Sequence, residues 1–250
     1  MEPFEARGFY VPFHFLYDKA LIASRLDLID QSPDLNAVVV DMKSDFGKLA
    51  WEPDNAIAKE LGVAVPDIMT AQEFLQEAKK RGIYTIARFV TFKDDALAEG
   101  KPEWALEKKS NPGVLWKDGE NLAWVDPYRE EVRQYEIDLA KELSALGFDE
   151  IEFDYFRFTG QTNHNQFTYS VESTPENRRE AISSFSQELI EALKPYGIFT
   201  AIDVFGSIIL NGNEPYIGQN LADMAVGLDY LNPMIYPQVW WPGTFPGCDE

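Results

Sequence analysis

Phe148-Asp149-Glu150-Ile151-Glu152-Phe153-Asp154-Tyr155-Phe156-Arg157-Phe158 is the stretch on which the fold turns. Its Ile, Phe and Tyr content favours a strand, and strand alternation sorts its side chains into two sets. Glu152 and Asp154 share one face, while Ile151, Phe153 and Tyr155 share the other. Buried carboxylates are costly unless they meet partners or water, whereas the apolar set fits beneath helices. A strand of a (β/α) barrel satisfies both demands, because its acids enter the barrel and its apolar residues meet the outer helices.

The same unit repeats on both sides of this stretch. Upstream, strands are predicted at 8–12, 36–43 and 83–91; the acidic strand runs over 150–158; downstream strands follow at 198–205 and 230–236. Helical spacing falls between them. It covers 18–29 and a helix at 70–80 that opens on a Thr70/Glu73 capping box and ends at Gly82. A third helix starts at Asp126-Pro127 and holds Val132, Tyr135, Leu139, Leu143 and Leu146 on one face. A fourth opens at Thr174-Pro175 and closes near Gly197, and a weaker one spans 217–226. Between 44 and 70 a long loop is expected. Lys117-Asp118-Gly119-Glu120, set between apolar triplets, predicts a hairpin over 113–125 whose face would use Trp116 and Trp124.

Such regular alternation implies parallel pairing, and the first strand is followed by no Gly-rich phosphate fingerprint, which leaves little support for a nucleotide-binding doubly wound sheet. The expected architecture is therefore one α/β domain over 1–250, a TIM-type (β/α) barrel in which about six strands are identifiable. The last two βα units would be lacking, and the first and sixth strands would be edges.

Composition narrows the chemistry. The 250 residues are 45% hydrophobic and 26% charged, and 22 Lys and Arg stand against 42 Asp and Glu, giving a net charge of −20. That charge disfavours nucleic acid and anionic lipid as partners. No apolar run approaches the roughly 20 residues needed to cross a bilayer, so membrane insertion is not expected. One cysteine, Cys248, and two histidines, His14 and His164, offer little for a thiolate or imidazole metal site, and no cofactor is expected.

Applying the same alternation to the other strands turns Asp203 inward with Ala201 and Phe205. It likewise groups Val39, Asp41 and Lys43, then Ile86, Arg88 and Val90, then Asn232, Met234 and Tyr236. Most of these polar groups lie toward the carboxyl ends of strands, where such barrels hold their active sites. An ion-pair network filling the mouth would be the structural alternative. Two carboxyls in different surroundings can instead divide acid and base or nucleophile roles, as glycosidic cleavage requires. Asp154 and Asp203 are the catalytic candidates. Asp41, Lys43, Arg88, Glu152, Arg157, Tyr236 and Trp240 are expected to orient substrate or tune those carboxyls. A separation of about 5–5.5 Å would indicate retention and about 6.5–9.5 Å inversion. Two other arrangements fit the same residues: a carbohydrate-binding barrel without turnover, and a magnesium site on Asp154, Asp203 and Glu152 with Lys43 as base.

Several strings occur in order along nearly the whole chain: Gly8-Phe9-Tyr10-Val11, the run from Ala37 to Gly47 (AVVVDMKSDFG), Ile86-Ala87-Arg88-Phe89, Trp124-Val125-Asp126-Pro127-Tyr128, FDEIEFDYFRF, Ile202-Asp203-Val204-Phe205-Gly206 and Pro233-Met234-Ile235-Tyr236-Pro237. Together they resemble the putative glycosyl hydrolase domain family of bacterial proteins. The resemblance implies a TIM-type barrel, hydrolysis of a poly- or oligosaccharide, and export to the cell envelope. The chain departs from the family at Gln238-Val239, where Ser-His often follows Tyr-Pro. A looser similarity to chitinase-like barrels fails at Phe156, which stands where their catalytic Glu would be.

Overall fold

The computed structural model describes residues 4–160 and 166–236. His164, Trp240 and Cys248 lie outside the described residues, so the substrate contact expected of Trp240 does too. Six parallel strands form the main sheet: β1 (Gly8–Val11), β2 (Ala37–Lys43), β3 (Tyr84–Val90), β4 (Glu150–Asp154), β5 (Phe199–Phe205) and β6 (Tyr230–Met234). They pair in chain order, each strand laid against the one before it. That winding belongs to a (β/α) barrel, and six of its eight strands are present as a curled open sheet with β1 and β6 as the described edges.

The connecting helices are α1 (Lys19–Gln31), α2 (Ala56–Leu61), α3 (Ala71–Lys80), α4 (Asp95–Gly100), α5 (Glu130–Leu146) and α6 (Pro175–Leu193), followed by the short α7 (Ile208–Asn211) and α8 (Leu221–Met224). Local chemistry fixes their starts. Asp18 accepts from the amides of Ala20 and Leu21, Thr174 from that of Asn177, and the Thr70/Glu73 capping box is complete. Their apolar stripes cover one face of the sheet, where Val38, Val40, Ala87, Phe89, Ile151, Phe153, Ile202 and Val204 are fully buried. Each such side chain contributes roughly 1.5–3 kcal/mol of burial. The opposite face carries Tyr10, Asp41, Arg88, Glu152, Asp154 and Asp203, as alternation requires.

Four local differences from the sequence expectation bear on the site. The loop expected over 44–70 contains α2, capped by Asn55, which accepts from the amides of Ile57 and Ala58. The helix expected from Asp126 starts at Glu130. Asp126 instead accepts from the amides of Tyr128 and Ser170, tying two loops together. The acidic strand stops at Asp154, because Tyr155 takes a left-handed backbone with φ 50°. This turn redirects the chain so that Phe156 stacks on Phe185 of α6 at 5.0 Å instead of continuing the ladder. Finally, β2 slips by one residue against β3: Asp41 pairs with Arg88, but Lys43 pairs with Phe89. A bulge of this kind reverses which face the next side chain takes. The 113–125 hairpin is present, with an antiparallel bridge between Lys117 and Ala123 and both flanking tryptophans buried.

Candidate active site

Arg88, in β3, is the hub of the inner face. Its Nη1 donates to Asp41 Oδ1 at 2.7 Å, and its Nε donates to Asp154 Oδ2 at 3.1 Å, with Nη2 on the same oxygen. Asp41 accepts further from the Tyr10 hydroxyl at 2.6 Å and the Phe13 amide at 3.0 Å. Asp154 Oδ1 accepts from the amide of Tyr155 at 2.6 Å, which ties the acid to the left-handed turn that ends its strand. Burial works against the Arg88 charge, but Asp154 and Asp41 together raise its pKa above the ordinary arginine value. Both carboxyls thus share one cation and accept from several further donors.

Glu152 and Asp203 form a different kind of pair. They are hydrogen-bonded to each other, and Asn232 of β6 donates its amide to Glu152 Oε1 at 2.7 Å. Burial, the facing Glu152 and then Asp154 hold the Asp203 carboxyl well above the usual range. Burial raises Glu152 as well, although the bonds from Asp203 and Asn232 pull it back. Burial and mutual repulsion therefore raise both carboxyls above the usual range, and the pair resists losing its last proton. The inner face therefore offers one carboxyl acid beside one arginine-paired carboxylate, the combination that acid-assisted bond cleavage needs.

The other expected site residues divide. Arg157 lies at the mouth, its guanidinium 5.2, 5.0 and 4.9 Å from the ring centres of Trp124, Tyr155 and Phe205, and it donates to the Phe158 carbonyl at 3.1 Å. Tyr236 follows β6 and is half exposed, its hydroxyl 3.4 Å from Met234 Sδ. Lys43 is not in the site. The bulge turns it behind the sheet, where it is fully buried against Asp94 Oδ2 at 2.7 Å, Glu136 Oε2 at 3.1 Å and the Val90 carbonyl at 2.7 Å. The substrate contact expected of it is corrected accordingly, and so is its role as a base.

Lys93 supplies the cation that Lys43 does not. It reaches Asp118 at 3.2 Å, Asp45 at 3.8 Å and Glu120, and it sits 4.9 Å from the Tyr155 ring centre. Asp45 also approaches Arg88 at 3.9 Å, and burial raises its carboxyl despite these cations. Tyr10, Asp45, Lys93 and Asn232 were not among the sequence candidates. Alternation placed Asn232 on the inner face without giving it a role, and Tyr10 was findable by the same rule; Asp45 and Lys93 sit in loops, where parity gives no signal. Among the described residues no three His, Cys, Asp or Glu side chains are grouped to hold a metal ion. The proposed magnesium ligands are otherwise engaged, Asp154 by Arg88 and Glu152 by Asp203. No helix among the described residues is long and apolar enough to cross a membrane.

The family model for a putative glycosyl hydrolase domain matches residues 8–249. No curated protein matches the chain. A hypothetical protein from Ruminiclostridium thermocellum ATCC 27405 is similar in structure with a TM-score of 0.68 and 30% identity, over 79% of this chain and 97% of that one. The glycoside hydrolase domain of PgaB (BpsB) from Bordetella bronchiseptica is similar with a TM-score of 0.66 and 12% identity, over 92% and 74%. The α-galactosidase TtGalA from Thermus thermophilus gives 0.53 and 16%, over 81% of this chain and 38% of that enzyme. The last two likenesses concern the fold, a TIM-type barrel.

Proposed function

Because the chain belongs to the putative glycosyl hydrolase domain family, we propose that it hydrolyses glycosidic bonds of an oligo- or polysaccharide, with Asp203 as general acid and Asp154 as its arginine-paired partner. The carrying observation is the hydrogen-bonded contact of the buried Glu152 and Asp203 carboxyls beside the arginine-paired Asp154. Glycosidic cleavage passes through an oxocarbenium-like state, so the leaving oxygen needs a proton and the anomeric carbon needs negative charge nearby. Asp203 delivers its proton to the glycosidic oxygen as the C–O bond breaks. Asp154 faces the developing positive charge as nucleophile or stabilising base, and water completes the hydrolysis. Glu152 holds the acidic proton in place, Arg88 and Asp41 fix Asp154, and Arg157 and Tyr236 contact sugar at the rim.

A second reading, carbohydrate binding without turnover, draws on one feature. Both oxygens of Asp154 already accept hydrogen bonds, which weakens that carboxylate as a nucleophile. Release of reducing ends from a panel of oligosaccharides decides between the two. With a substrate in hand, Asp203→Asn and Asp154→Asn should each lower kcat by about 100-fold or more. Full activity in both variants sinks the assignment, and binding without turnover by the unmodified chain favours the second reading.

A further inference from the structure

A cleft of about 480 Å³ opens beside the carboxyls, lined by Tyr10, Phe13, His14, Tyr17, Asp41, Asp45 and Phe46 among others. Its composition is unusual for a protein surface. Tyr10, Tyr17 and Phe46 are 48%, 60% and 58% exposed, so three large rings face water around a single depression. The cleft neighbours the reacting groups through Asp41, which lines it and shares Arg88 with Asp154.

Phe46 is exposed from a firmly held backbone. In the turn that presents it, the amide of Gly47 donates to the Ser44 carbonyl at 2.9 Å and the amide of Ser44 to the Lys48 carbonyl at 2.9 Å. The Phe46 carbonyl in turn accepts from the Ala96 amide of α4 at 3.2 Å. Gly47 takes φ +71°, and a Cβ there would fall 1.9 Å from Asp94 Oδ1, so the turn is seated closely on α4. Folding has thus fixed an apolar ring in water and placed the Asp45 carboxyl next to it. A flat ring beside a hydrogen-bonding carboxyl matches a pyranose, which has an apolar C–H face and a hydroxyl edge.

We infer that the Tyr10–Tyr17–Phe46 cleft is a subsite for an uncharged pyranose unit of the glycan, adjoining the bond to be cleaved. This rests on the hydrolase reading and adds the class of sugar and the side of the site on which the chain extends. The cleft wall carries two carboxyls, Asp41 and Asp45, against one lysine, Lys48, in a chain of net charge −20, which disfavours a uronic or sulfated unit there.

The test uses ¹⁵N-labelled Asp203→Asn chain, titrated at millimolar concentration with neutral hexasaccharides (cello-, xylo-, malto-, manno- and chitohexaose) and with hexagalacturonate as anionic control. At least one neutral sugar should shift the amides of Tyr17, Phe46 and Gly47, and Phe46→Ala should weaken that binding about fivefold or more, the loss of one stacking ring. Phe46→Ala removes an exposed ring, and an unchanged melting curve checks that it folds; Tyr17→Ala is the second variant. Four results overturn the inference: no neutral sugar shifts these amides, Phe46→Ala binds as before, hexagalacturonate binds in preference, or the shifts depend on protein concentration alone, as for a second copy covering the rings. Turnover separates the two readings. Binding here without hydrolysis by the unmodified chain keeps the subsite and overturns the hydrolase reading, while hydrolysis with an unaltered KM in Phe46→Ala does the reverse.

Discussion

Replacing Glu136 by glutamine should change how the stability of this protein responds to pH. Behind the sheet, Lys43 lies 2.7 Å from Asp94 and 3.1 Å from Glu136, and all three side chains are at most 1% exposed. One cation faces two carboxyls there. Burial, partly offset by Lys43 and reinforced by Asp94, pushes Glu136 from 4.5 up to about 8. Between those values the folded chain keeps a proton that the unfolded chain has released, so stability falls as pH rises, by at most about 1.4 kcal/mol per pH unit. Lys43, whose pKa is raised, contributes stability at all lower pH and loses it only in strong alkali, outside this window. In the Glu136→Gln variant an amide of similar size, which cannot ionise, takes the place of the carboxyl. Other groups titrate alike in both proteins, so the stability difference isolates Glu136. That difference should move by about 3.5 kcal/mol in favour of the variant between pH 5 and pH 8, an upper figure for a buried group. Urea unfolding at pH 5, 6, 7 and 8 with equal m-values measures it. A difference that stays constant over that range refutes the argument, because Glu136 would then titrate at its ordinary pH.

Arg88→Met leaves Asp41 and Asp154 without their common cation, and should cost about 3 kcal/mol in urea unfolding, the low end for breaking a buried pair because Asp154 stays 16% exposed. An undiminished midpoint would show that the pair is not stabilising. The pH profile of kcat/KM on a hydrolysed sugar should hold its value well past the pH at which an ordinary aspartate ionises, and then fall as the raised Asp203 loses its proton. A fall centred on the usual aspartate range would remove Asp203 as the acid. Gly47→Ala should lower stability by at least about 1–2 kcal/mol from its positive φ, with more from the contact against Asp94. A melting temperature equal to that of the parent would contradict the tight seating of that turn on α4.

Period-two alternation carried most of the fold and half of the site, and it failed where the period itself broke. The strand residues Arg88, Glu152, Asp154 and Asp203 came out on the inner face because β3, β4 and β5 run in unbroken register. Lys43 did not, because the bulge after Asp41 adds a residue that neither Gly nor Pro announces in the sequence. The partners that make the outward position tolerable, Asp94 and Glu136, lie 51 and 93 residues further on. The left-handed turn at Tyr155 was hidden for a related reason. Alternating aromatics predict a longer strand, and only the burial of Phe156 and Phe158 against residues distant in sequence ends it early.

What divides Asp41 and Asp154 from Glu152 and Asp203 is the supply of cations. Arg88 is a planar donor able to serve two acids at once, and β3 places it so that Asp41 and Asp154 take its donors. With those two satisfied, Glu152 and Asp203 are hydrogen-bonded, among the described residues, to each other and to the neutral amide of Asn232, with Arg88 acting on them only through space. Two buried carboxyls in contact without a cation of their own cannot both ionise cheaply, so one proton stays between them. The contrast between the two pairs therefore follows from a shortage: among the described residues Arg88 hydrogen-bonds Asp41 and Asp154, and no cation hydrogen-bonds Glu152 or Asp203. A lysine at β2 could have relieved it, and Lys43 would have entered this face had β2 kept its register. The bulge sends that charge to Asp94 and Glu136 instead, and burial with mutual repulsion keeps the Asp203 carboxyl well above the usual range.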